Sequence, residues 1–171
     1  TLTLRRGPES ESLLLIGGFS PNFGFLQSVW EFDLAAESWT ELETFGNGPL
    51  GVYGHSTVYH VPTASFYVFG GYTYAVNRTF ISNKLYTFHY PSQTWSVLPT
   101  FEEYNPPRMQ LPQPRFLHTA VTTDEFLLVF GGRSVTPTTQ DSLIAYSYAC
   151  NQWIRLLSKD VVVVGNPPPA T

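Results

Sequence analysis

Phe66-Tyr67-Val68-Phe69-Gly70-Gly71 is a strand-length apolar run closed by two glycines, and the chain contains it three times. Leu13-Leu14-Leu15-Ile16-Gly17-Gly18 comes 53 residues earlier, and Phe126-Leu127-Leu128-Val129-Phe130-Gly131-Gly132 comes 61 residues later. Working outward, each second glycine is followed by a loop, an alternating stretch and a tryptophan. Trp39, Trp95 and Trp153 lie 21, 24 and 21 residues beyond it. An aromatic residue, Phe32, Phe88 or Tyr146, stands seven residues before each tryptophan. The second and third copies also share an opening, Tyr53-Gly54-His55-Ser56 and Arg115-Phe116-Leu117-His118-Thr119. Repetition at this period marks an architecture in which each unit buries its apolar face only against neighbouring units.

Within the middle copy the pattern predicts four short strands over residues 56–61, 66–69, 85–90 and 95–98. Pro62-Thr63-Ala64-Ser65 and Pro91-Ser92-Gln93-Thr94 supply tight reversals, as Asp124-Glu125 does in the third copy. No stretch has helical periodicity, so the class is all-β. A glycine pair at a strand end admits positive φ and lets another sheet come close. A tryptophan at a fixed place in each unit fills the space between adjacent sheets.

The glycine doublets, the spaced Phe or Tyr and Trp, and the Gly-His or Arg-x-x-His openings resemble Kelch repeats over nearly the whole chain. The resemblance implies a β-propeller of four-stranded antiparallel blades around a channel. The units are expected at residues 1–45, with a truncated first strand, at 51–100 and at 115–157. Residues 158–171 are expected to lead toward a further blade. Propellers close with about four to eight blades, so three form an incomplete ring with neighbouring blades as obligatory partners. Thr1 follows no leader-like stretch, and the chain reads as an internal piece of something longer.

Composition narrows the function. The chain has 171 residues, 43% of them apolar, enough for a packed core. Nine Lys and Arg against thirteen Asp and Glu give a net charge of −4 with no basic block, which argues against a nucleic-acid partner. The longest apolar runs are strand-sized, so no direct membrane insertion is expected of this segment.

Candidate chemistry is sparse. Gly46-Asn47-Gly48-Pro49-Leu50-Gly51 spells a dinucleotide fingerprint, but Val52-Tyr53 and a strand follow it rather than a helix, so it reads as a flexible link. His55 and His118 hold equivalent repeat positions and are expected to make structural hydrogen bonds, whereas His60 and His89 have no recurring partner. The four histidines show no metal-ligand spacing. Glu102-Glu103 are neighbours on an extended chain and point to opposite sides, which is no acid/base pair. No catalytic residue, metal or cofactor is therefore expected. A Kelch-like copper-radical oxidase remains a distant alternative.

Two further residues bear on location. Asn77-Arg78-Thr79 is a glycosylation sequon in a long inter-strand loop. The texture of residues 51–72 and of Cys150-Asn151-Gln152-Trp153 is similar to propellers of the attractin and multiple EGF-like domains family. That likeness implies an extracellular scaffold on a large single-pass membrane protein, with EGF-like modules outside this segment. It further implies a link to ubiquitin-ligase-dependent receptor turnover in developmental signalling. It would also give Cys150, the only cysteine, a disulfide partner outside the segment. A cytosolic Kelch adaptor, presenting ubiquitin-ligase substrates or actin, is the alternative, and there Cys150 stays a free thiol. In either case the partner is a protein. The loops 19–27, 72–82 and 134–141 should cluster on one face, and Phe23, Phe25, Tyr72, Tyr74, Arg78, Phe80 and Arg133 there have interface composition. Packing of the loops themselves is the competing role for these aromatics.

Overall fold

The structure, a computed structural model, describes residues 1–75, 77–98, 112–135 and 143–155. The acidic pair Glu102-Glu103, residues 136–142 of the third loop and the expected continuation at 158–171 lie outside the described residues. The chain opens with β1 (Leu2–Arg6), β2 (Glu11–Ser20), β3 (Gly24–Asp33) and β4 (Ser38–Glu41). Two short strands, β5 (Phe45–Gly46) and β6 (Val52–Tyr53), cross to β7 (Ser56–His60) and β8 (Ser65–Phe69). A hairpin of β9 (Tyr72–Ala75) and β10 (Arg78–Ile81) leads to β11 (Leu85–His89) and β12 (Thr94–Val97). The third unit is β13 (Thr119–Thr122), β14 (Phe126–Phe130), β15 (Ile144–Ser147) and β16 (Gln152–Arg155). No α-helix occurs among the described residues.

Three antiparallel meanders result, ordered β1-β2-β3-β4, β7-β8-β11-β12 and β13-β14-β15-β16, with β5 added in parallel outside β12. This is the all-β, partial-propeller class expected, and the strands of the middle unit fall within one residue of their predicted bounds. Blade 1 differs in one respect: β2 does not stop at Gly17-Gly18 but continues to Ser20 through a bulge between Ile16 and Gly18.

Side-chain alternation makes each sheet two-sided and assigns each side to a neighbour. Leu14, Ile16 and Val29 of blade 1 meet Phe66, Val68, Phe88 and Trp95 of blade 2 in one buried cluster. The opposite face of blade 2, with Val58, Tyr67, Phe69 and Leu85, meets Leu127, Val129, Ile144, Tyr146 and Trp153 of blade 3 in the other. The three indoles share one register, with Trp39, Trp95 and Trp153 paired across the ladder to Phe32, Phe88 and Tyr146. Ring centroids of these pairs are 5.0, 5.0 and 5.4 Å apart. Surroundings divide them. Trp95 and Trp153 are 4% and 6% exposed because each packs on the preceding blade, whereas Trp39 is 49% exposed. Its covering face is the one that a blade ahead of β1 would supply.

The glycine pairs and the repeated histidines form one device. His118 is held between Gly70 of the blade before and Gly132 of its own. A Cβ on Gly70 would lie 2.8 Å from His118 Cε1 and 2.6 Å from the Arg115 carbonyl oxygen, and one on Gly132 would lie 2.8 Å from His118 Cβ. His55 sits likewise between Gly17 and Gly71, at 3.2 and 2.9 Å. Each Nε2 reaches a hydroxyl at the head of the preceding blade's first strand, His118 to Ser56 at 2.8 Å and His55 to Thr1 at 2.9 Å. Both Nδ1 atoms are buried. Burial therefore pushes His55 down to about 3 and His118 down to about 4, and both are neutral at pH 7.

At the opposite end of the blades a second lock recurs, and it engages His60. The Arg5 guanidinium lies 4.3 Å over the Tyr90 ring. The Tyr90 hydroxyl donates to Glu31 Oε1 at 2.8 Å, and Arg5 pairs with the same carboxylate at 3.7 Å. One blade on, His60 occupies the place of Arg5 and stacks on Tyr148 with centroids 3.8 Å apart. His60 Nε2–H donates to the Asp124 carbonyl at 3.0 Å, and Nδ1 meets the Thr63 hydroxyl at 2.9 Å. Arg5 and His60 both close the first strand of a blade against the tyrosine that follows the third strand of the next. By contrast His89 is exposed and bonds only Ser92 in its own turn, at 2.8 Å.

Two outcomes follow from these junctions. Trp95→Ala and Trp153→Ala should each cost about 3–5 kcal/mol in urea unfolding, and Trp39→Ala under about 1 kcal/mol, because only the first two empty a packed space. Equal costs at all three would contradict the blade order. The histidines carry folded-state pKa values below the unfolded value, so their contribution is present above about pH 6.5 and is lost as pH falls toward 4. Thermal melts should show an acid-side loss of at most roughly 3 kcal/mol from His118 and roughly 5 kcal/mol from His55, and His118→Gln should remove its share. An unchanged pH profile in that variant would refute the assignment.

Candidate recognition face

The strand ends that carry the glycine pairs share one face of the molecule, and a single repeat rule orders it. The residue directly after each pair is Phe19, Tyr72 or Arg133. The residue two before each histidine is Tyr53 or Phe116. Tyr53 pairs with Tyr72 across β6 and β9, and Phe116 pairs with Arg133 in an isolated bridge. Between blades the same positions meet again. Phe19 lies 5.7 Å from Tyr53, and Tyr72 lies 5.0 Å from Phe116, edge to face. Tyr53 and Tyr72 stack at 5.7 Å. Phe25 packs against Phe19 and Tyr53 at 5.6 and 5.5 Å and stacks on Tyr74 at 6.2 Å. A continuous band of six rings thus crosses three blades and ends beside Arg133, which is bridged to Phe116 through the backbone.

The band accounts for some of the sequence candidates and divides others. Residues 19–27 and 72–82 are not irregular loops but hairpin extensions of the blades, β2–β3 and β9–β10. Opposed residues of a hairpin share a side, so Tyr72 and Tyr74 go with Ile81 and Thr79. Arg78 and Phe80, opposed to Ala75 and Thr73, lie on the other side of that hairpin. Phe23 stands alone at a hairpin tip, 82% exposed. Phe25, Tyr72, Tyr74 and Arg133 are therefore brought together, and Arg78, Phe80 and Phe23 are not. Sequence reasoning quoted Tyr53 and Phe116 only as parts of the repeat opening and did not place Phe19 in the interface. The signal that finds all three is their constant offset from the glycine pair and the histidine.

Beside the band an open cleft of about 880 Å³ lies between blades 1 and 2, lined by Phe25, Val29, Glu41, Lys84, Tyr86 and Trp95 among others. Burial pushes the Tyr86 phenol above its ordinary range. The cleft's floor is the 46–51 strap, which is packed rather than a flexible link. Phe45–Gly46 runs parallel to β12, and a Cβ on Gly48 would lie 2.9 Å from the Trp95 indole. Gly51, at φ +98, lies against Phe25, where a Cβ would come within 2.8 Å. These glycines serve close packing and lead into a strand, so the fingerprint makes no phosphate cradle.

Electrostatically the face is one-sided. No Asp or Glu occurs between Glu43 and Glu102, although the chain is acidic overall. Lys84 and Arg133 are exposed on or near the band, and Arg78 is exposed on the other side of the β9–β10 hairpin. Arg115 beneath it is buried, donates to the Gly131 carbonyl at 3.1 Å, and is held below its ordinary range by burial. No three His, Cys, Asp or Glu side chains gather into a metal-binding group among the described residues. No helix among them is long and apolar enough to cross a membrane. Cys150 is exposed in the turn between β15 and β16, and Asn77 is exposed in the β9–β10 turn.

Comparison with known proteins agrees with this architecture. Residues 1–165 match the family model described as Attractin/LZTR1 beta-propeller. Multiple epidermal growth factor-like domains protein 8 of Mus musculus is 39% identical over 167 residues, which is 98% of this chain and 6% of that protein. The human protein of the same name is 31% identical over 204 aligned residues, covering 90% of the chain and 7% of the relative. The leucine-zipper-like transcriptional regulator 1 homolog of Drosophila melanogaster is 29% identical over 133 residues, covering 75% of the chain and 12% of the relative. The chain therefore spans only a small part of the length of its relatives. By fold, by repeat register and by this match, the chain belongs to the Attractin/LZTR1 beta-propeller family.

Proposed function

We propose that the chain is a non-catalytic recognition element of an extracellular propeller on a large single-pass membrane protein, and that it binds protein through the aromatic band. The carrying observation is the unbroken run from Phe19 to Arg133 across three blades, on a face free of carboxylates through blade 2. Aromatic rings with an arginine at the edge are the composition on which interfaces concentrate their binding energy. Exposed cations and missing carboxylates favour an acidic partner surface that presents apolar or aromatic side chains. An outside location is supported by the likeness to relatives named for epidermal growth factor-like domains and by the exposed Asn77 sequon. There Cys150 pairs with a cysteine beyond this segment, and the partner is a receptor-type protein whose signalling the parent tunes.

Surface digestion of intact cells by a non-permeating protease should remove the propeller of the parent protein; full protection would place it in the cytosol and favour the adaptor reading. With the immobilised chain, a random poly(Glu,Tyr) copolymer should bind and poly(Lys,Tyr) should not. Phe19→Ala and Arg133→Glu should each weaken the acidic copolymer by about tenfold or more. Equal binding of both copolymers, or insensitivity to both substitutions, would remove the band from the interface.

A further inference from the structure

The β9–β10 hairpin does more than expose Asn77. Asn77 takes φ +59 in the turn, a left-handed conformation that asparagine tolerates better than most residues. Tyr74 stands three residues before it, and Thr79, the hydroxyl residue of the sequon, is paired directly opposite Tyr74. All three thus share one side of the hairpin. The Tyr74 hydroxyl donates to Asn77 Oδ1 at 3.3 Å. That bond takes the amide oxygen and leaves out the nitrogen, the atom to which an N-linked sugar is joined. Meanwhile Tyr74 is 44% exposed, although its ring stacks on Phe25.

We propose that Asn77 carries an N-linked glycan whose first N-acetylglucosamine lies on the Tyr74 ring. The donor is a polyprenyl-diphosphate-linked oligosaccharide. The bond from Asn77 Nδ2 to sugar C1 forms as the bond from C1 to the diphosphate oxygen breaks. The diphosphate leaves with the bonding pair, and the amide proton is lost to the transferring enzyme. Once attached, the sugar presents axial C–H bonds and an acetyl methyl to the negative face of the phenol, and the Thr79 methyl sits alongside. Burial of that exposed ring ties the strands together and shields the hairpin. The sugar covers Tyr74 at the side of the band, which leaves the run from Phe19 through Tyr53 to Arg133 for a protein partner. This inference rests on the extracellular location proposed above.

The test uses the whole protein expressed in mammalian cells, read by glycopeptide mass spectrometry at Asn77 and by endoglycosidase H sensitivity. The variants are Asn77→Gln, Tyr74→Phe and Tyr74→Leu. Asn77→Gln should remove one glycan. Tyr74→Phe, which keeps the ring and loses the hydroxyl, should match the parent. Tyr74→Leu should lower occupancy by about twofold or more and shift the remaining glycan toward processed forms. If Tyr74→Leu fails to reach the surface, native removal of the sugar from the unsubstituted protein substitutes for it. Hydrogen exchange across residues 72–81 should then speed up. An unmodified Asn77 on a protein that the protease assay places outside the cell overturns this inference alone; a protected, cytosolic protein overturns both. Identical glycans in the Phe and Leu variants, or unchanged exchange after sugar removal, leave the sequon without its aromatic seat and overturn the proposal.

Discussion

Both blade junctions among the described residues depend on a histidine wedged between two glycine pairs. His118 has room only because Gly70 in one blade and Gly132 in the next lack side chains, and the space that a Cβ would need is filled by the imidazole and a backbone carbonyl. The histidine is neutral at pH 7 and buried. Such a group costs free energy in isolation. It persists because it sets the distance at which the apolar faces of two sheets meet, and the tryptophan then fills what remains. Packing of the Phe88–Trp95 and Tyr146–Trp153 pairs on the preceding blades is the stabilising counterpart.

Blade 2 packs against its neighbours through both faces, so that sheet has no spare surface for recognition. What is left is the ends of the strands. At one end, turns hold Arg5 over Tyr90 and His60 over Tyr148, and these side chains are committed to the junction. At the other, the residues after the glycine pairs have been released from the blade core. They differ freely among Phe19, Tyr72 and Arg133 without loss of register. Variation at a fixed structural position is how a repeat scaffold acquires a binding surface.

The blade pattern was legible in the sequence because it depends on local rules repeated three times: alternation along strands, a glycine pair at each close approach, an indole seven residues after an aromatic. Those rules placed the strands of the middle unit to within one residue. What escaped is what depends on an adjacent unit. Nothing in the residues around Trp39 distinguishes it from Trp95, since the difference is made by whichever sheet lies opposite. The stack of His60 on Tyr148 joins residues 88 positions apart in different blades, and it replaces a cation by an imidazole at the position of Arg5, so no letter repeats. The split of the hairpin, with Tyr72 and Tyr74 on one side and Arg78 and Phe80 on the other, required the ladder register that only the paired strands supply.

The same register explains why a face with so much aromatic surface does not collapse upon itself. Phe19, Tyr53, Tyr72 and Phe116 are carried by backbone that is hydrogen-bonded into strands or bridges, so each ring is held at a set distance from the next rather than folded inward. Their contacts are edge-on, tilted or offset, at centroid distances of 5.0–5.7 Å, which leaves part of each ring uncovered. Loops of the same composition without strand pairing would bury those rings against one another. Because the backbone fixes the rings, a partner that binds them meets a surface already ordered, and the entropy that would otherwise oppose association has been lost on folding.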